Sequence, residues 1–208
     1  MSAAPDEPPG LALMLAVDAS ASVNYDEFDL MTEGTARAFS RPDIHSAIAS
    51  VPGGIALAMV QWSSIRRQAL TLDWTRAWNT ESAIDLSHLI SGTPRIIDGG
   101  GTMIHAGLSF AAQQFEHVTA RRRVIDLSGN GEDDDPESLS VVRAAIAAQG
   151  IVINGLAVHE DSQHLLSWFT RNVIAGRGSF ALSANDYPVY AEAIHRKLLR
   201  EIAGPRLF

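Results

Sequence analysis

Residues 11–17 read Leu-Ala-Leu-Met-Leu-Ala-Val, an unbroken apolar run that stops at Asp18. Successive side chains of a strand point to opposite faces, so a strand wetted on one face alternates apolar and polar residues. A run that is apolar at every position needs cover on both faces, and that places it inside a mostly parallel sheet flanked by helices. The rest of the chain must then supply further buried strands and the helices that cover them.

Residues 55–62, 123–128 and 151–158 read as buried strands of the same kind. Residues 68–74 alternate, which suits a half-exposed edge strand, and residues 178–182 suit a last strand. Helical stretches fall between them. The first spans residues 24–39, with Asn24 as N-cap and Asp26 and Glu27 in its first turn. Others cover residues 80–90 and 103–117, a segment opened by Pro136 and stopped by Gly150, residues 163–170, and an amphipathic closing helix over 187–202. Alternation of this sort predicts a doubly wound α/β fold: a mostly parallel central sheet with helices on both faces. It reads as one domain over residues 10–204 without repeat or internal linker.

Residues 1–9 are Pro- and acid-rich and read as a disordered leader. They lack the basic-then-apolar order of a signal peptide, although a chain from which such a peptide had been removed could begin this way. No apolar run approaches the roughly 20 residues of a membrane-spanning helix. The formal charge of −8 argues against a nucleic-acid partner. Arg121-Arg122-Arg123 is the one basic run, and its place directly ahead of a hydrophobic segment reads as the solvated start of a strand. With no cysteine, disulfides, thiolate metal sites and cysteine catalysis are excluded, while the compartment stays open.

Ligands on doubly wound sheets sit beyond the carboxyl ends of the strands. Polar loops follow there in this chain. In Asp18-Ala19-Ser20-Ala21-Ser22 a strand-end carboxylate is followed by hydroxyls two and four residues on, so the oxygens can aim at one point. Oxygens without soft ligands suit a hard cation such as Mg²⁺. A second loop, Asp98-Gly99-Gly100-Gly101-Thr102, lets backbone approach closely and ends in a hydroxyl at a helix start, although Thr102 alone also reads as an ordinary N-cap. The third loop, Ser128-Gly129-Asn130-Gly131-Glu132 with Asp133 to Asp135, adds hard oxygens.

These loops, in this order, resemble the metal-ion-dependent adhesion site of von Willebrand factor A domains. The resemblance runs over about residues 11–202. Ala-Val-Asp-Ala-Ser-Ala-Ser and Val-Ile-Asp-Leu-Ser-Gly-Asn-Gly are most similar to a bacterial branch described as domain of unknown function 1194. The resemblance implies a doubly wound domain whose divalent cation, Mg²⁺ first and Mn²⁺ or Ca²⁺ as alternatives, is held by Asp18, Ser20, Ser22 and Thr102. It implies recognition of a protein partner that presents an acidic residue, without catalysis, and an exported protein, periplasmic or secreted; a cytoplasmic one is the alternative. Asn130 stands where that family usually carries an Asp. Its amide oxygen can still ligate, directly or through water, with one negative charge fewer, and Asp133 is a candidate substitute.

Other residues have simpler readings. Asp126, inside an apolar run, is either a buried hydrogen-bonding residue or a support to the metal loops. His105, three residues after Thr102, reads first as a helix-surface histidine, with approach to the site as the alternative. His45, His88, His117, His159, His164 and His195 show no paired ligand spacing. Trp62, Trp74, Trp78 and Trp168 read as packing between sheet and helices. A nucleotide-binding enzyme would need glycines directly after the first strand, and residues 18–22 have none. Gly-x-Ser-x-Gly is missing too, which argues against a serine hydrolase. A phosphoester hydrolase using Asp18, and a metal-free scaffold in a larger assembly, remain as alternatives.

Overall fold

The computed structural model describes residues 5–158, 162–186 and 189–204. Strand β1 (Leu11–Asp18) is buried along its whole length, as its composition demands. It pairs in parallel with β2 (Ile55–Trp62) on one side and β4 (Arg122–Gly129) on the other. β5 (Ile151–Val158) and β6 (Ala181–Ala184) extend the sheet in parallel, and β3 (Gln68–Ala77) closes the opposite edge antiparallel to β2. The order is β3-β2-β1-β4-β5-β6. Asp18 lies opposite Trp62, and Val17 opposite Ser128, so the ends of β1, β2 and β4 form one edge.

Alternate residues of β1 feed two cores. Leu11, Leu13, Leu15 and Val17 pack with α1 (Tyr25–Phe39), α2 (Pro42–Ser50), α3 (Thr80–Ser91) and α7 (Tyr190–Ala203). Ala12, Met14 and Ala16 face α4 (Ile104–Gln113), α5 (Pro136–Ala148) and α6 (Ser162–Asn172). The predicted doubly wound architecture, with helices on both faces, is the one present. α1 starts at the expected cap: Asn24 Oδ1 accepts from the Glu27 N–H while Glu27 returns a bond to the Asn24 N–H.

Several boundaries differ from the sequence reading. α2 was not anticipated; only two residues separate it from α1, and Pro42 at its start is its one strong signal. The expected helix over 103–117 begins at Ile104 and tightens into a 3-10 turn at Gln114–His117. The last strand lies at 181–184 rather than 178–182. The expected start of the closing helix at Tyr187 lies outside the described residues, as do His159 and residues 1–4. Of the proposed leader, residues 5–9 lie against the domain: the Glu7 carbonyl accepts from Arg76 at 3.2 Å, and Pro9 is buried.

Trp62 is fully buried between the sheet and α4, Trp168 is nearly so, and Trp74 packs on Phe115 at 5.3 Å. Gly107 of α4 faces Trp62 so closely that a Cβ there would sit 2.6 Å from the indole Cγ. Only a glycine allows the helix this approach. No described helix is long and apolar enough to cross a membrane.

Candidate functional site

At the carboxyl edge the chain leaves β1 and must satisfy its polar groups without a strand partner. Asp18 is fully buried there. Its Oδ1 accepts from the Ser20 N–H at 2.8 Å, and its Oδ2 faces the Asn130 N–H at 3.4 Å. Burial pushes the Asp18 carboxyl up to about 6; the hydrogen bonds of Ser20 and Asn130 and the charge of Arg95 oppose that rise.

The Ser20 and Ser22 hydroxyls lie 3.0 Å apart. Ser22 Oγ donates to Asn130 Oδ1 at 2.8 Å, and Asn130 Nδ2 donates to the Ser22 carbonyl at 3.1 Å. Asp18, Ser20, Ser22 and Asn130 therefore form one hydrogen-bonded group. Thr102 borders it from the second loop, with its hydroxyl oxygen 3.6 Å from where a Cβ on Gly131 would stand. It is not an N-cap: α4 is capped from Met103 without a side-chain hydrogen bond. What fixes Thr102 is Asp134, whose Oδ2 accepts from the Thr102 N–H at 2.9 Å and whose N–H donates to the Thr102 carbonyl at 2.8 Å.

Asp133 and Asp135, expected with Asp134 to add hard oxygens to the site, are engaged by groups outside it. Asp133 accepts from the His105 N–H at 2.7 Å and from the Asp135 N–H at 2.7 Å, and lies 2.9 Å from His105 Nδ1. Its carboxylate is spent on the first turn of α4 and on a side chain, which leaves little to substitute for a ligand. His105, expected on the surface, is only 12% exposed in its side chain for the same reason. Asp135 caps α5 through the Ser138 N–H and hydroxyl, and these bonds hold its carboxyl below the usual range.

Residues that the sequence reading passed over hold the loops in place. Arg95 donates to the carbonyls of Ala19, Ser20 and Val23 at 3.0, 3.2 and 2.6 Å while its guanidinium lies over the Tyr25 ring. Gln61, buried in β2, accepts from the Ile96 and Ile97 N–H groups and donates to the Pro94 carbonyl. A glutamine inside an otherwise apolar strand was the available signal for that role. Gly100, with φ +105°, presses against Ser63 and Ser64 and gives its carbonyl to the Ala21 N–H at 3.0 Å, which ties the second loop to the first.

Asp126 lies away from this edge in a separate buried cluster. Lys197 Nζ sits 2.5 Å from Asp126 Oδ1 and 2.7 Å from Glu201 Oε1, and Glu201 also accepts from Asn154 Nδ2. Burial, and then the neighbouring Asp126 charge, push the Glu201 carboxyl up to about 8. Of the two readings of Asp126, the buried structural one fits. Lys197 and Glu201 occupy the apolar stripe of α7 beside Ile194, Leu198 and Ile202, a pattern visible in the sequence.

All the oxygens available to a cation at the carboxyl edge are hard ones, with Asp18 as the carboxylate among the five candidate residues. Among the described residues no three His, Cys, Asp or Glu side chains gather around a common point. The donor set therefore fits a hard, partly hydrated ion far better than a transition metal held by imidazoles.

A family described as "Protein of unknown function (DUF1194)" matches residues 10–206. No curated protein matches the sequence significantly. Among solved structures, proximal thread matrix protein 1 from the mussel byssus, in a form described as having a zinc-occupied MIDAS motif, superposes with a TM-score of 0.67 at 14% identity. That match covers 92% of this chain and 47% of the mussel protein. The pilus adhesin SpaC of Lactobacillus rhamnosus GG matches with TM-score 0.68 at 10% identity, over 96% of this chain and 31% of SpaC. A von Willebrand factor type A protein from Catenulispora acidiphila matches with TM-score 0.64 at 14% identity, over 92% of this chain and 42% of that one. The chain thus spans about half, or less, of the length of these structures. At such identities they establish a shared fold.

Proposed function

The chain belongs to the DUF1194 family and has the von Willebrand factor A fold, and from that premise we propose that it is a non-enzymatic protein-binding module of the adhesion type. In this reading Asp18, Ser20, Ser22, Thr102 and Asn130 hold a divalent cation, Mg²⁺ in the first place, and a protein partner offers it an acidic residue. The observation that carries the reading is the fully buried Asp18 carboxylate at the sheet edge, joined through Ser20, Ser22 and Asn130 into one group of hard oxygens.

A carboxylate taken out of water needs a compensating charge or strong hydrogen bonds. Two N–H groups supply part of this for Asp18, and its raised pKa records what they leave uncompensated. A bound cation would supply the positive charge that draws an acidic partner group. The chain's own part is positional: Arg95 clamps the first loop, Asp134 sets Thr102, and Gln61 fixes the segment leading to the glycine run. The SpaC adhesin and the zinc-occupied mussel protein support the same use of the fold.

The test is binding of an immobilised peptide carrying one Glu, against the same peptide carrying Gln, with Mg²⁺ and with a chelator. Retention of the Glu peptide in Mg²⁺ alone supports the module. Equal retention of both peptides in either condition contradicts recognition of an acidic group.

A second reading, a metal-free scaffold, is favoured by one observation: Ser22 and Asn130 bond each other twice and close the first and third loops without an ion. Metal-dependent phosphoester hydrolysis is the third reading. It needs a general acid or base near Asp18, and His105, the nearest histidine in sequence to the three loops, is engaged by Asp133. Turnover of p-nitrophenyl phosphate that disappears in Asp18→Ala would replace the binding reading with this one.

A further inference from the structure

At the opposite end of the sheet from Asp18, the amino ends of β4 and β5 open into a cleft of about 870 Å³. Among the described residues six arginines line it: Arg121, Arg122 and Arg123 at the start of β4, Arg177 ahead of β6, and Arg196 and Arg200 from α7. The chain as a whole carries −8, so this concentration of positive charge runs against its composition. Among the described residues the lining holds one carboxyl group, Glu201, which is turned to Lys197 and Asn154.

The arginines divide into two sets. Arg122 caps the end of α7, donating to the Glu201 and Ile202 carbonyls at 2.8 and 2.7 Å; Arg123 donates to the Gln149 carbonyl; and Arg121 lies 3.5 Å from Glu7. These build the wall. Arg177 and Arg196 are exposed, and the ion pairs among the described residues include neither of them nor Arg200. Arg200 instead stacks on Phe180, 3.8 Å from the ring centroid. Unpaired guanidiniums lining one cavity repel each other, an effect that salt screens beyond about 8 Å under physiological conditions. A bound anion removes that cost. The planar guanidinium donors match phosphate oxygens bidentately. The floor is apolar, from half-buried Val152 and Leu199 over buried Val124 and Phe180. A cavity of this size falls within the range of small-molecule sites.

We propose that this cleft binds a small phosphate-bearing molecule with an apolar part, its phosphate met by Arg177, Arg196 and Arg200 and its apolar part seated on Val152 and Leu199. The site is independent of the metal-type edge. Arg121–Arg123 alone read as a solvated strand start; it is their meeting with arginines from two distant segments that makes the cleft.

The test titrates the full chain by calorimetry with 1-naphthyl phosphate, inorganic phosphate and 1-naphthol, and cosediments it with vesicles of phosphatidylcholine with and without phosphatidic acid. Naphthyl phosphate should saturate the protein, bind at least tenfold more tightly than inorganic phosphate or naphthol, and weaken as salt is raised. The double variant Arg177→Glu/Arg196→Glu should lose at least tenfold in affinity while keeping its circular dichroism. Arg196→Gln, a milder change, should lose less. Retention on phosphatidic acid vesicles that the double variant lacks assigns the phosphate to a lipid headgroup; naphthyl phosphate binding without vesicle retention assigns it to a soluble compound. Absence of binding in both arms, or equal binding by wild type and folded variants, overturns the proposal. Equal affinity for naphthyl phosphate and inorganic phosphate overturns the part of it that assigns the floor.

Discussion

Ser22 Oγ donates to Asn130 Oδ1 at 2.8 Å across 108 positions of sequence, and Asn130 Nδ2 returns a bond of 3.1 Å to the Ser22 carbonyl. This reciprocal pair ties the first loop to the third. An aspartate at 130 could keep the first bond and would lose the second.

Asn130→Asp is therefore expected to act in opposite directions with and without a cation. Without one, a second carboxylate stands near buried Asp18 and one hydrogen bond is gone, for a loss of about 1 kcal/mol. With Mg²⁺, the added charge is expected to tighten binding by about tenfold, equivalent to about 1.4 kcal/mol. Thermal melts with and without Mg²⁺, beside a calorimetric titration, read both effects. A titration unchanged from wild type would remove Asn130 from the site.

The buried Lys197 cluster predicts a pH dependence of stability. The Glu201 carboxyl sits at about 8 in the folded chain against an ordinary value of 4.5, so the folded state holds a proton that the unfolded state releases. The stabilisation is complete below about 4.5, declines as pH rises, and is lost once pH passes about 8. Denaturant unfolding at pH 5, 7 and 9 should show this decline in the wild type, and Glu201→Gln should flatten it. A slope unchanged in the variant assigns the proton elsewhere.

Lys197→Met leaves Asp126 buried without its cation and is expected to cost about 3–5 kcal/mol, as removal of one partner of a buried pair does. Combining it with Asp126→Asn should recover part of that loss. An additive double variant, measured by denaturant midpoint, would show that the two side chains do not interact.

Gly107→Ala places a methyl 2.6 Å from Trp62 Cγ, so that α4 or the fully buried indole must shift. Overpacking of this sort costs about 1–3 kcal/mol. Because Trp62 abuts Asp18 across the sheet, cation binding should weaken with it. A melting temperature equal to that of wild type would show that α4 can move away from the sheet.

The apolar runs made most of the fold legible. β1, β2, β4 and β5 declare themselves because a strand covered on both faces cannot alternate, and the helices between them follow from period and caps. α2 escaped because it is nine residues long and follows α1 almost at once, with little more than Pro42 to separate them. At the carboxyl edge, the residues that bond one another were legible from the spacing of Asp18, Ser20 and Ser22. The residues that position them were not. Arg95 acts through its reach to backbone carbonyls, and Asp133 through His105; neither arrangement has a fixed spacing in sequence. Lys197 and Glu201 did leave a trace, as charges in the apolar stripe of α7. The arginine cleft draws on segments far apart in the chain, which a reading of the Arg121–Arg123 run alone could not join.

The most direct test of the account is a calorimetric titration of the chain with Mg²⁺, Mn²⁺ and Ca²⁺ near pH 7.5, where Asp18 is ionised, compared with Asp18→Ala. The wild type should bind one divalent ion saturably, and the variant, while still melting cooperatively, should bind it at least a hundredfold more weakly. Equal binding by the two proteins, or none by the wild type with or without an acidic peptide, would contradict a metal-dependent binding site at this edge and leave the scaffold reading in its place.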